Sequence, residues 1–459
     1  MKQENSRSEA TSRLARFVND THYKALPDEV IAAAKIGILD GIGVMLAGAA
    51  QPLASIVGPF VRDLAGAPLC GVVGQDFRTN APSAAFANGI FLHCLDFEIQ
   101  GQPATHGTSA VLPPVLALGE MLGAPGSRLI EAYVVGWEVQ ARLRRASVGC
   151  DLRGYHPPGV FGPLGAAAAC AKMLGLSSAQ TRMALGIAAS HTGGLLANLG
   201  NMVKGTHAGA AGRHGVEAAL LAQAGYVSHE GILEAKHGYV DTLLGVEFDW
   251  ATFTDRLGTT FQLVDPGFNI KRYPVQIHMQ WAIDAVLNLR QRHQLRPEEI
   301  DYLELEVPQV RVRPDDAAIQ SGPDGKSSYA YCGAVALTQG HLDIDSFSDA
   351  TYSSPQVQDV LRKVRLKGNP DIPASLLDTW AAARAGLRDG RVVSEQCLHY
   401  RGSIANPMTR EERLEKTRTC GGLILNSADM ERVIDMGEVL EALPDVRELT
   451  RILEHKSVK

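Results

Sequence analysis

The sequence predicts a mainly α-helical protein, with a large all-helical domain and a smaller α+β domain. Three observations carry this. The first ~265 residues are rich in Ala, Gly and Leu with few β-branched runs. The texture changes near Asp265, and a period-two alternation follows at 300–312. The tail, 409–454, returns to charged, helical text and can pack back on the first domain. A chain of 459 residues also exceeds a single core, since about 150 residues per domain is usual.

Taken in order, segment 30–50 is the most membrane-like, but Lys35, Asp40 and its glycines favour a buried helix pair. Segments 163–174, 178–190 and 208–224 read as helices whose small faces let axes approach closely. Beyond Lys271-Arg272-Tyr273-Pro274 an amphipathic helix spans 276–293. Residues 300–312 form a half-buried strand, bent at Pro308. Helices at 329–340 and 354–362 and short strands at 364–366 and 390–393 complete the smaller domain. The boundaries expected are 1–268 with 402–459 for the helical domain, and 269–401 for the α+β domain.

Composition narrows the function. With 44 basic against 50 acidic residues, a net charge of −6 and no Lys/Arg run, a nucleic-acid surface is excluded as the main role. The opening Met-Lys-Gln-Glu-Asn-Ser-Arg-Ser-Glu-Ala has no apolar core, so no signal peptide is read and a soluble cytoplasmic protein is expected, with no membrane partner. The seven cysteines (Cys70, Cys94, Cys150, Cys170, Cys332, Cys397, Cys420) include no C-x-x-C pair, which fits reduced thiols. No dinucleotide or phosphate loop, no G-x-S-x-G and no H-E-x-x-H occurs; Gly200-Asn-Met-Val-Lys204-Gly205 lacks the phosphate-loop spacing. No cofactor and no metal is therefore expected, and the chain's own side chains must do any chemistry.

Ionisable residues gather in a few apolar, glycine-rich segments. Asp96 and Glu98 end an apolar helix, where the dipole disfavours acids, so a cation should face them. His106 and His156 each stand just before a helix, a place suited to a substrate carboxylate. Lys204 opens a helix of small residues, an unfavourable end for a cation unless an anion answers it. His207 and His214 lie seven apart on that helix, on one face, where packing is the plainer role. Lys271, Arg272, Tyr273 and His278 sit at the expected domain junction, with His278 in the first turn of its helix. This set suits proton transfer beside a carboxylate-stabilised carbanion.

These motifs, in this order, resemble the MmgE/PrpD family. They run through Leu39-Asp40-Gly41, Phe86-Ala-Asn-Gly89, Leu95-Asp96-Phe97 and His156-Pro-Pro-Gly. Ser190-His191-Thr-Gly193, Lys204-x-x-His207-x-Gly209 and Arg213-His214-Gly215 follow, then Lys271-x-Tyr273-Pro274-x-x-x-His278 and 328–336. The resemblance implies a discontinuous helical domain, an α+β lid, a homodimer and a cofactor-independent site in an interdomain cleft. It places the family's active-site residues on Asp96, His106, His156, Lys204, Lys271 and His278. Catalytic roles are expected of Asp96, His106, His156, Lys204 and His278, and substrate binding of Lys271, Tyr273, Thr105 and His207. Glu98-Ile99-Gln100 and Thr105-His106-Gly107-Thr108 depart from the family's usual text at positions expected to touch substrate.

The activity expected first is a lyase dehydrating a hydroxy di- or tricarboxylate such as 2-methylcitrate, by removal of a proton α to a carboxylate. An epimerase of the iminodisuccinate type or a decarboxylase of the cis-aconitate type could use the same site. A non-catalytic dimeric binding protein is the third reading.

Overall fold

The computed structural model describes residues 7–147, 153–245, 247–313, 316 and 318–454. Cys150 lies outside them; among the described residues the other six cysteines form no disulfide. The chain divides into two compact units, Met1–Phe268 with Thr409–Lys459, and Asn269–Met408. The return to the first unit falls at 409 rather than 402. Residues 402–408 stay with the second unit because Ile270 N donates to Gly402 O (2.7 Å) and Ile404 N to Asn269 Oδ1 (3.1 Å).

The first unit is helical. Its main helices are α1 (Ala10–Asp20), α2 (Asp28–Ala49), α3 (Ala54–Asp63), α4 (Ala81–His93) and α5 (Gly107–Leu122). They continue with α6 (Gly126–Ala146), α7 (Pro157–Leu174), α8 (Ser178–Ala189), α9 (Val203–Gln223) and the short α10 (Trp250–Thr254). The expected helix pair at 30–50 is one unbroken helix, α2, because its glycines serve close packing and none breaks the hydrogen-bond ladder. It is long and apolar enough to cross a membrane, yet most of it is buried inside the unit. Its one mid-helix acid, Asp40, accepts from Lys416 Nζ at 2.7 Å.

Two-residue pairings are all the strand the first unit shows among its described residues, as between Cys70–Gly71 and Arg78–Thr79. Small residues set the helix crossings. A Cβ on Gly89 of α4 would lie 2.8 Å from Gly209 Cα of α9, and one on Gly205 would meet Ile90. The two helices therefore run antiparallel in close contact, so the end of α4 meets the beginning of α9. That juxtaposition builds the site.

In the second unit, α11 (Gln280–His293) and α12 (Tyr329–Gln339) accompany a four-stranded sheet. Its strands are β1 (Ile300–Pro308), β2 (Val364–Asn369), β3 (Ala381–Leu387) and β4 (Val392–Cys397), in the order β2-β1-β3-β4. β1 pairs parallel with β2 and antiparallel with β3, with Leu305 opposite both Leu366 and Ala383. Leu303, Leu305 and Val307 face the core, matching the alternation. The strand stops at Pro308 instead of bending there, because residues 309–311 turn into a 3-10 helix. β3 was not expected. Its Ala-Ala-Ala-Arg-Ala-Gly-Leu text has low strand propensity, and it is a strand because Ala381, Ala383 and Ala385 fill a tight face of the sheet. The last strand begins at Val392, after a turn in which Gly390 takes φ +87°.

Further helices are α13 (Pro355–Leu361) in the second unit and α14 (Arg410–Gly421) and α15 (Ser427–Glu438) in the first, with one-turn helices at Asp349–Tyr352 and Arg447–Thr450. α14 and α15 pack on α2, so the C-terminal segment is part of the helical core.

Candidate active site

Four helix ends of the first unit supply the site. α4 ends at His93, and the chain then turns through Asp96, a non-glycine residue at φ +52°. The stretch beyond is clamped from the C-terminal segment. Lys416 Nζ donates to Phe97 O (2.8 Å) as well as to Asp40, whose other oxygen accepts from Ile99 N (3.1 Å). Glu98 is thereby turned inward and has no exposed surface.

His106 is the N-cap of α5, and His156 the N-cap of α7, where Pro157 and Pro158 supply a preset first turn. His156 N donates to Gly194 O (3.0 Å) and Gly193 N to Gly159 O (2.9 Å). A Cβ on Gly159 would stand 1.8 Å from Gly193 O, so only glycine lets this loop close on the mouth of α7. Lys204 is the second residue of α9, at the positive end of its helix.

These groups converge. Lys204 Nζ lies 2.6 Å from Asp96 Oδ2, which supplies the cation for the aspartate and the anion for the lysine. Asp96 Oδ1 is 3.9 Å from His106 Nε2. Glu98 Oε1 accepts from His93 Nδ1 at 2.6 Å and from His106 Nδ1 at 2.8 Å. His156 Nδ1 stands 2.8 Å from His207 Nδ1, so one proton is shared between them. Ring centroids are 4.6 Å apart for His93 and His106, and 6.0 Å for His106 and His156.

Burial governs the charge states. It pulls His93 down to about 4, against the opposing pull of Glu98. It also lowers His156, helped by the neighbouring imidazoles and Lys204. His207 is lowered by burial and by Lys204. Burial pushes the Glu98 carboxyl up, but His93 and His106 together outweigh it and hold it well below the usual range. At neutral pH the cluster thus presents ionised Glu98 among neutral His93, His156 and His207.

Asp96, His106, His156, Lys204 and His207 are brought together. Thr105 lies beside them, buried, with its Oγ1 accepting from Gln140 Nε2 (3.2 Å). Lys271, Tyr273 and His278 belong to the second unit. Lys271 is wholly buried there. Tyr273 donates its hydroxyl to Asp284, and Gln280 Oε1 accepts from Tyr273 N (3.1 Å), both bonds inside the unit. His278 sits in a 3-10 turn, residues 277–279, that runs directly into α11 as its first turn.

His93 was missed as a site residue, and Glu98, singled out as an acid that a cation should face, meets two imidazoles. The signal was a histidine on an otherwise apolar helix with an acid five residues on. His93, His106 and His156 each bring a ligand atom within 4.8 Å of the others, as do Asp96, Glu98 and His106, and these are the groups that could hold a cation. The arrangement can bind carboxylates at three helix N-termini and one ammonium, and can move protons through imidazoles.

Comparison with known proteins agrees over nearly the whole chain. The MmgE/PrpD N-terminal domain matches residues 12–251 and the MmgE/PrpD C-terminal domain residues 273–442. Cis-aconitate decarboxylase of Mus musculus is 31% identical over 98% of this chain and 94% of its own. The Homo sapiens protein of that name is 31% identical over 97% of this chain and 95% of its own. The Aspergillus terreus one is 28% identical over 98% and 96%. The chain belongs to the MmgE/PrpD family.

Proposed function

We propose that this enzyme, a lyase, is a carboxy-lyase acting on cis-aconitate or a closely similar unsaturated tricarboxylate. The observation that carries the reading is the run of relatives named as cis-aconitate decarboxylases, similar along essentially the full chain. It moves decarboxylation ahead of the 2-methylcitrate dehydration that the sequence placed first.

The site chemistry suits this reaction. Decarboxylation breaks one C–C bond, leaves its electron pair on the carbon skeleton and takes up one proton: a trianion and H+ become a dianion and CO2. Poorly hydrated surroundings favour the loss of a carboxylate's charge. Lys204 carries three N–H donors, of which Asp96 accepts one, so others can serve a substrate carboxylate. The N-termini of α5, α7 and α9 add positive potential. His106 can take up the proton that the reaction consumes and pass it to the carbon skeleton, with His156 beside it, ring centroids 6.0 Å apart.

The test is an NMR panel in heavy water with cis-aconitate, 2-methylcitrate and an epimerisable amino or imino dicarboxylate. The reading expects CO2 and a deuterated alkene one carbon shorter from cis-aconitate. Turnover of 2-methylcitrate alone would return dehydration to first place, and solvent exchange without a new alkene would select epimerisation.

A further inference from the structure

We infer that Glu98 is a positioning residue that fixes the tautomers of His93 and His106 together, making His106 Nε2 the basic atom of the site. The kinetic part of this inference rests on the decarboxylase reading; the tautomer part does not.

The geometry leads there directly. An ionised carboxylate only accepts hydrogen bonds. Glu98 Oε1 faces both Nδ1 atoms, at 2.6 and 2.8 Å, so each Nδ1 carries its hydrogen. In a neutral imidazole the lone pair is then on Nε2. The Gln100 side-chain amide lies 3.4 Å from His106 Nε2, where it can donate to that lone pair. When His106 Nε2 takes a proton, the imidazolium has Glu98 at one nitrogen and Asp96 Oδ1, 3.9 Å away, at the other. The site is therefore prepared for the charge before it forms.

His93 explains why Glu98 holds still. It is wholly buried, packed edge-on to His106, and its Nε2 has no hydrogen-bond partner among the described residues. Its contribution is a second donor that anchors the shared oxygen. The Lys416–Asp40 clamp fixes the backbone on either side of Glu98 at Phe97 O and Ile99 N. The acid is held at both its carboxylate and its main chain.

The experiment is 15N NMR of histidine-labelled protein without substrate, using the His106→Asn variant to assign that ring by its disappearance. Wild-type His93 and His106 should each show a protonated Nδ1 and a pyridine-like Nε2. Glu98→Gln should shift His106 toward the Nε2–H form. With cis-aconitate it should lower kcat by about 100-fold or more while KM stays within about threefold. Glu98→Asp, which restores the charge, should recover at least about a tenth of wild-type kcat. A proton on His106 Nε2 in the wild type overturns the inference, as does Glu98→Gln with an unchanged tautomer or kcat. If Glu98→Gln fails to fold, the wild-type spectrum still decides. Correct tautomers with no turnover of cis-aconitate would sink the functional reading and leave this one standing.

Discussion

Lys204 Nζ and Asp96 Oδ2 stand 2.6 Å apart, with side chains only 14% and 17% exposed. Each is awkward alone: the lysine occupies the positive end of α9, and the aspartate takes a left-handed backbone conformation. Together they form a partly buried pair at the point where α4 ends and α9 begins. A substrate carboxylate reaching Lys204 joins an existing charge network and does not have to create one.

Because the two residues act as one unit, their losses should not add. Lys204→Ala and Asp96→Asn should each lower kcat for cis-aconitate by about 100-fold or more. The double variant should be no more than about threefold worse than the worse single one. Steady-state kinetics on the three proteins checks this, and fully multiplicative losses would mean independent roles.

The buried imidazoles give stability a pH dependence of known sign. His93 in the folded chain protonates at about 4, below the ordinary 6.5, so the unfolded chain binds more protons between those values. Stability should therefore fall as pH drops from about 6.5 to about 4, by up to about 3 kcal/mol from this residue. His156 and His207 are lowered too and act in the same direction. Thermal unfolding across that range should show the fall, and His93→Asn should make it shallower.

Lys416 and Asp40 form a pair with both side chains only 7% exposed. Burial raises the Asp40 carboxyl and Lys416 opposes that rise. Lys416→Met should destabilise the protein by about 3 kcal/mol or more, because it strands a buried carboxylate. It should also lower kcat, since the 97–99 stretch loses its clamp. Adding Asp40→Asn to Lys416→Met should recover part of the stability, read by denaturant unfolding.

The helix mouths were legible in the sequence because the signals there are local. His106 before Gly107 and His156 before Pro157-Pro158 announce their helices, and Lys204 stands where a cation needs an anion. The partners were not legible, since they depend on which helices cross. Nothing local says that Gly89 meets Gly209 and so delivers Asp96 to Lys204. Glu98 read as a helix-end acid because its two histidines lie one on the preceding helix and one before the next. In the second unit, the strand Ala381–Leu387 escaped notice because alanine is chosen there for tight packing, against its propensity.

Gly159 tests how far the site depends on one close backbone approach. Gly159→Ala puts a Cβ where Gly193 O now stands, so either the 193–194 loop or the mouth of α7 must move. The variant should lose about 3 kcal/mol of stability and most of its activity. Ala at the neighbouring Val160, which lies on the same helix away from that contact, should keep its activity within about threefold.

The most direct measurement follows uniformly 13C-labelled cis-aconitate with the wild-type enzyme and with folded Lys204→Ala in parallel. Labelled CO2 should appear in step with a dicarboxylate one carbon shorter, with one proton consumed per turnover, and the variant should give about a hundredth of that rate. No CO2 from the wild type, or an undiminished rate without the lysine, would contradict a decarboxylation run from this cluster.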